Sequence, residues 1–301
     1  MGHVVRMTAT GALGITFVFL VDAANLLWIL QLGQPKLVAA IGFAWAIQFF
    51  SVSIGVGLMI AVTALISRSI GEGQRNLARS QAGAGIVIAA VVQGSVALLI
   101  LFFRLELVQL AGAEGKNALD AARYLGLTIM SLVPMAIGLT CSGALRAESL
   151  GTKAMYVTLI SGLLLMIVDP ILIIGLGWGL DGAGIGLVLF RFALAGLGLF
   201  FAAYQHQLIS MPTRRALGDA LGPYVAVAGP AIVTQMAIPA GNYFLTRVMA
   251  PFGDDAVAAW AVVARLAVLS LSVHCSCLMR PLTIWANLGA VRLLIGSKMA
   301  S

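Results

Sequence analysis

A chain of 301 residues that is 61% hydrophobic and only 10% charged, with a mean hydropathy of +1.04, falls far outside the composition of soluble domains, where about 25% of residues are charged. A net charge of +7 would suggest nucleic acid in a soluble protein, but here the basic residues sit in short segments between apolar runs, so no nucleic-acid partner is expected. The class this composition defines is an all-α membrane protein, a polytopic helix bundle whose first partner is the lipid bilayer.

Apolar runs of about 18 or more residues predict eight spans, covering 8–30, 37–67, 82–103, 119–141, 154–174, 182–203, 222–249 and 256–279. The first run is too long for a signal peptide and holds Asp22, so it is expected to stay as a helix. The start Met1-Gly2 carries Arg6 where a myristoylation signal needs Ser or Thr. One set of alternate loops holds Arg6, Arg68, Arg75, Arg79, Arg146, Lys153, Arg214 and Arg215; the other holds Lys36, Arg104, Lys116 and Arg123. That bias predicts a multi-pass protein of the plasma (inner) membrane with a cytoplasmic N-terminus.

The run 156–175 contains one charge, Asp169, near the middle of a length that crosses a bilayer. Holding a carboxylate there costs roughly 2.5–3.5 kcal/mol on insertion scales, so such groups face a bundle interior and mark ion, proton or substrate paths. Pro170 follows directly and removes a backbone donor, predicting a loosened helix beside the acid. The plainer alternative is a structural kink with a protonated, hydrogen-bonded Asp. Thr158, Gly162, Leu165 and Asp169 share one helical face, and Asn25 follows Asp22 at i+3 on the first span. If those two faces meet, two carboxylates share a desolvated site, and taking up a proton relieves both burial and repulsion. Protons and a bound cation would then compete for the same carboxylates.

The remaining polar residues are weighed more lightly. Arg191 lies halfway along the sixth run, where it either pairs with an acid or lines a cleft; Arg247 and Arg265 lie nearer span ends and read as snorkelling anchors. Gly182-x-x-x-Gly186 suits close helix packing, with no soluble strand before it to make a dinucleotide fingerprint. Abundant Met and Phe suit either a promiscuous apolar cavity or plain core and lipid contact. His3, His206 and His274 are scattered, and Cys141, Cys275 and Cys277 offer neither paired disulfide spacing nor a second ligand pair, so no metal site, cofactor or enzyme activity is expected.

An internal repeat organises the chain. Leu32-Gly33 before Leu37-Val38-Ala39-Ala40 recurs as Phe252-Gly253 before Val257-Ala258-Ala259, with Gly11 and Asn25 upstream of the first copy and Gly229 and Asn242 upstream of the second. Ile70-Gly71-Glu72-Gly73 is echoed by Leu288-Gly289-Ala290, all at an offset near 220 residues. Six spans per unit would make parallel repeats, and coincidence among Ala, Gly and Val is the alternative. The expected organisation is a six-helix N-terminal transmembrane lobe at 1–210, the first two helices of a second lobe at 211–279, and an atypical tail at 280–301. Arg280-Pro281 falls where the first unit is apolar, so the second copy is expected to be truncated or frame-disrupted, with a dimer or a separate second-lobe partner completing it.

In order and spacing, several of these segments resemble the multidrug and toxic compound extrusion (MATE) transporters from about residue 11 to 271. The carriers are Val21-Asp22, the Leu-Gly-x(4)-Val-Ala-Ala run, Ser67-Arg68-Ser69-Ile70-Gly71-Glu72-Gly73, Gly143-Ala144-Leu145-Arg146-Ala147, and Asp169-Pro170 before Gly182-Ala183. The resemblance implies two six-helix lobes around a central cleft, and secondary active export of amphipathic, often cationic, small molecules in exchange for protons or sodium. It also implies that Asp22 and Asp169 carry proton coupling inside the N-terminal lobe. Gly162 and Leu165 stand where that family's pattern has asparagines, which weakens a sodium site more than a proton site. The seventh span lacks a carboxylate. Besides a proton-coupled antiporter, the alternatives are sodium coupling, a non-transporting remnant, and a receptor or enzyme on the same helices.

Overall fold

The computed structural model describes residues 17, 20, 21, 24–31, 35–212 and 214–267. Every regular element among them is a helix. A first helix, α1, is described over residues 24–30. It is followed by α2 (Pro35–Gly71), α3 (Arg75–Phe102), α4 (Arg104–Leu110), α5 (Gly115–Ile129), α6 (Leu132–Ala147), α7 (Gly151–Pro170), α8 (Gly179–Leu199) and α9 (Arg214–Met249). The last, α10, occupies residues 254–267.

Five of these helices, with the turns that extend them, are long and apolar enough to cross a membrane. A sixth span forms if α5 and α6 are taken together, bent by 49° at the break between them. The six correspond to the runs expected at 37–67, 82–103, 119–141, 154–174, 182–203 and 222–249. Most of the first run and the end of the eighth lie outside the described residues, as does the tail from 280.

The helices approach closely because small residues stand where they cross, as packing between apolar helices in lipid requires. A Cβ on Gly138 would lie 2.8 Å from the Leu194 backbone, tying α6 to α8, and one on Gly143 would lie 2.7 Å from Thr63 Oγ1 on α2. Gly57 of α2 meets the Ile232 backbone of α9 at 2.9 Å in the same construction, and Gly42 meets Ala261 of α10 at 3.0 Å. Helix α2 is the hub, packing against α3, α5, α6 and α9. Polar ties reinforce it: Gln93 Nε2 donates to the Ser51 carbonyl at 3.0 Å, and Tyr224 Oη donates to the Leu58 carbonyl at 3.0 Å. The other face of α9 is apolar and open, with Val233 72% and Ile238 61% exposed.

The loops sort to two ends, as their alternation requires. At one end Arg75 pairs with Glu148 at 2.6 Å, and the Ser210 amide donates to the Arg79 carbonyl, laying the segment after α8 against α3. At the other, Arg123 pairs with Asp181 at 2.6 Å and Asn117 donates to Asp254 at 2.5 Å. The tight turn from α2 to α3 is possible because Gly73 takes φ +75°, a conformation that penalises a Cβ.

Candidate functional site

Asp169 is 1% exposed, one residue before Pro170 closes α7. Proline lacks the amide that would bond back one turn, and the chain answers by widening into a π turn over Ile171–Gly175, with the Leu176 amide donating to the Ile171 carbonyl at 2.8 Å. The expected loosening beside the acid is therefore a change of helical register. Across the interface, Asn25 Nδ2 donates to Asp169 Oδ2 at 2.5 Å, linking the first and fifth spans. Asp169 Oδ1 is buried and has no hydrogen-bond donor among the described residues. It lies against the backbone of α8 at Gly186, where a Cβ would overlap it.

The glycine pair thus has two distinct roles. Gly182 admits the Leu172 carbonyl of the π turn, 2.9 Å from where its Cβ would be, while Gly186 makes room for the carboxylate itself. Thr158, Gly162, Leu165 and Asp169 all lie on the buried face of α7. Thr158 Oγ1 donates within its own helix, to the Ala154 carbonyl at 3.1 Å. A Cβ on Gly162 would fall 2.7 Å from Phe17 and 2.8 Å from Val21, so the first span packs closely on α7 there. Asp22 lies outside the described residues.

Arg191 on α8 is 3% exposed and bonded to oxygens from two other elements. Its Nη1 donates to the Thr128 carbonyl and Ser131 Oγ, each at 3.0 Å, and its Nη2 donates to Gln48 Oε1 at 2.9 Å. Thr128 and Ser131 flank the break between α5 and α6. Breaking a helix inside a membrane frees carbonyls that something must satisfy, and the Thr128 carbonyl accepts from the Ser131 amide and Ser131 Oγ as well as from the guanidinium. Gln48 Nε2 also donates to Thr128 Oγ1, which in turn donates to the Tyr124 carbonyl at 2.8 Å. Sequence reasoning left Arg191 between an acid partner and a cleft wall, and missed Gln48, Thr128 and Ser131. The visible signals were a Gln inside an apolar run and Ser131 three residues before Pro134.

A cavity of about 120 Å³ opens between these groups. Asn25, Gln48 and Tyr124 border it with Trp45, Phe49 and Phe190, and its charged lining residues among those described are Arg191 and Arg265. Trp45 and Phe49 stack with centroids 4.7 Å apart, and the Arg265 guanidinium lies 5.3 Å over the Trp45 ring. This corrects the expectation that Arg265 snorkels to the headgroups: it is 5% exposed and turned inward from α10, because an aromatic face inside the bundle offers the cation a better seat than a long reach to the surface. Arg247 is exposed, as an anchor would be.

Helices that cross a bilayer, a buried carboxylate between two of them and a largely apolar cavity with a few polar groups beside it define an integral membrane protein with an intramembrane site. The MatE family model matches residues 12–171, over half of the sequence, and the chain belongs to that family. A FAD transporter of Shewanella oneidensis is 25% identical over 277 residues, which is 87% of this chain and 59% of that protein. The crystal structure of a mutant of the Vibrio cholerae MATE transporter VcmN superposes with a TM-score of 0.77 at 29% identity, covering 91% of this chain and 63% of that one. An inward-facing multidrug resistance MATE family transporter of the MOP superfamily gives a TM-score of 0.78 at 21% identity, over 89% of this chain and 61% of that one, a likeness of fold. The chain therefore spans about three fifths of the length of the relatives it matches.

Proposed function

We propose that this chain works as a secondary active transporter of the MATE type, exporting amphipathic small molecules across the plasma (inner) membrane in exchange for protons, with its N-terminus in the cytoplasm. The observation that carries this is the carboxylate of Asp169, held by Asn25 and fitted against Gly186, with Asn25 also bordering the cavity. Gaining or losing a proton at Asp169 changes the charge one side chain away from the cavity by a full unit. A bound molecule and the proton are then thermodynamically linked, which is the requirement for coupled transport. Protons fit the surroundings better than sodium does, since Gly162 and Leu165 supply no oxygens to complete a cation's shell. The Shewanella relative's name brings FAD forward as one candidate cargo.

A second reading, that the chain keeps the fold but conducts only with a partner copy or a separate second lobe, is favoured by the open apolar face of α9. Both are tested by reconstituting the purified chain in liposomes with an imposed pH gradient and following flux of an amphipathic dye. The expected result is gradient-driven flux that falls at least tenfold in Asp169→Asn and Asp22→Asn and persists in Asp181→Asn, whose carboxylate is at the surface with Arg123. Flux unchanged in the first two variants overturns proton coupling, and no flux from the unaltered chain selects the second reading.

A further inference from the structure

We infer that a second cavity, at the basic end of the bundle and walled by the start of α3, the end of α6 and the segment after α8, binds a phosphate group. The group is carried by an anionic lipid headgroup or by a soluble phosphate ester. The cavity holds about 530 Å³, inside the ~300–1,000 Å³ of sites that enclose small ligands. Leu150, which lines it, stands nineteen residues, or about 28 Å, before Asp169 along α7, so this space is separate from the one beside the acid. Ile66, Arg75, Leu150 and His206 lie at or near the ends of four helices long and apolar enough to cross a membrane, which puts the cavity at the depth of lipid headgroups. One wall is pinned in place. The Ser210 amide donates to the Arg79 carbonyl at 3.2 Å, and Gly83 lets the Ser210 carbonyl approach α3 where a Cβ would overlap it.

Three features of the lining favour phosphate. First, Arg75 and Arg79 line the cavity one helical turn apart on α3. Arg75 gives one N–H to Glu148, the one carboxylate among the described lining residues, at 2.6 Å, and keeps the other donors of its guanidinium. The Arg79 side chain has no ion pair or hydrogen bond among the described residues. Nor does the rest of the sequence hold an acid for it. The only Asp or Glu outside the described residues is Asp22, bonded to Val21, and Val21 packs on Gly162, twelve residues or about 18 Å along α7 from Leu150. Second, α3 begins here without a side-chain cap, so the amides of its first turn lack intrahelical acceptors beside a space that Arg75 and Asn76 line. Third, His206 lines the cavity, and its Nε2 is buried with no hydrogen-bond partner among the described residues. A buried nitrogen is costly to leave unpaired, and a phosphate oxygen pairs it. Guanidinium forks match phosphate oxygens, whereas a cation finds the single carboxylate already engaged by Arg75.

The test uses the full chain in two arms. Native mass spectrometry in detergent, titrated with phosphatidate or phosphatidylcholine, reads the lipid source. Calorimetric titration of glycerol 3-phosphate into the chain in phosphatidylcholine nanodiscs, with glycerol as control, reads the soluble source. The expected result is phosphatidate binding about fivefold or more tightly than phosphatidylcholine, or saturable binding of glycerol 3-phosphate but not glycerol, and the arm that responds names the source. Arg79→Gln and His206→Gln should each weaken that binding about fivefold or more. Arg214→Gln removes an exposed arginine of the same end that is outside the described lining, and should leave the affinity within about twofold. Thermal unfolding shows which variants stay folded, and should one of the two lining variants unfold, the other carries the comparison. No preference in either arm, a folded lining variant that binds as tightly as the parent, or an equal loss in Arg214→Gln, the mark of surface charge alone, would each overturn the inference.

Discussion

Replacing Gly186 by Ala tests the geometry of the acid directly, and Gly196 on the same helix supplies the control. Both are α8 residues, so each substitution gains the same helical preference of Ala over Gly, about 1 kcal/mol. Around Gly196 an added Cβ meets nothing within 4 Å. At Gly186 it would overlap Asp169 Oδ1 and lie 3.1 Å from Leu165 Cδ1. Overpacking of that kind costs about 1–3 kcal/mol. A carboxylate pushed aside also strains or breaks its bond from Asn25, worth about 1.5–3 kcal/mol for a bond to a charged group. Subtracting the shared helical gain leaves Gly186→Ala less stable by roughly 1.5–5 kcal/mol, with Gly196→Ala neutral or up to about 1 kcal/mol more stable. Denaturant titration of the purified protein in mixed micelles measures both, and liposome flux measured in parallel should fall only for Gly186→Ala. If the two variants unfold alike and keep equal flux, the carboxylate does not sit against α8 and the coupling proposal loses its structural basis.

Two further substitutions contrast a buried tie with a surface one. Gln48→Leu removes an acceptor from Arg191 and a donor to Thr128, and should destabilise the chain by about 1.5–3 kcal/mol in the same titration. Arg75→Ala and Glu148→Ala, alone and together, should show a coupling of no more than about 1 kcal/mol that fades with added salt, since the arginine side chain of this pair is 77% exposed.

What the sequence revealed was mostly what periodicity and hydropathy control. Six of its eight predicted spans have counterparts among the described helices because about 20 apolar residues leave little choice but to form a spanning helix. The face of α7 carrying Thr158, Gly162, Leu165 and Asp169 was legible for the same reason, as a 3.6-residue period is a local property. What Asp169 Oδ1 rests against was not legible. Gly186 was visible as a small residue in a packing motif, but only the crossing of α7 and α8 shows that the space it leaves is filled by a carboxylate. Arg265 was misplaced because distance to a span end was used to decide its direction. Trp45, which holds it, is 220 positions away on α2, a separation no window along the chain can bridge.

Arg191 shows why charge inside a membrane cannot be sorted by looking for opposite charge alone. An arginine in mid-span invites a search for an acid, yet here it is held by a carbonyl, a hydroxyl and a side-chain amide. The carbonyl and the hydroxyl lie at the break between Ile129 and Leu132, and the amide belongs to Gln48 on α2. A guanidinium brought into hydrocarbon is costly alone, and these three oxygens offset part of that cost. Arg191 ties the break to α8 and also lines the cavity. The bend in the fourth span is thereby tied through Arg191 to the cavity beside it, so substitutions that straighten the break, such as Pro134→Ala, should alter ligand binding in the cavity as well as how the helix runs.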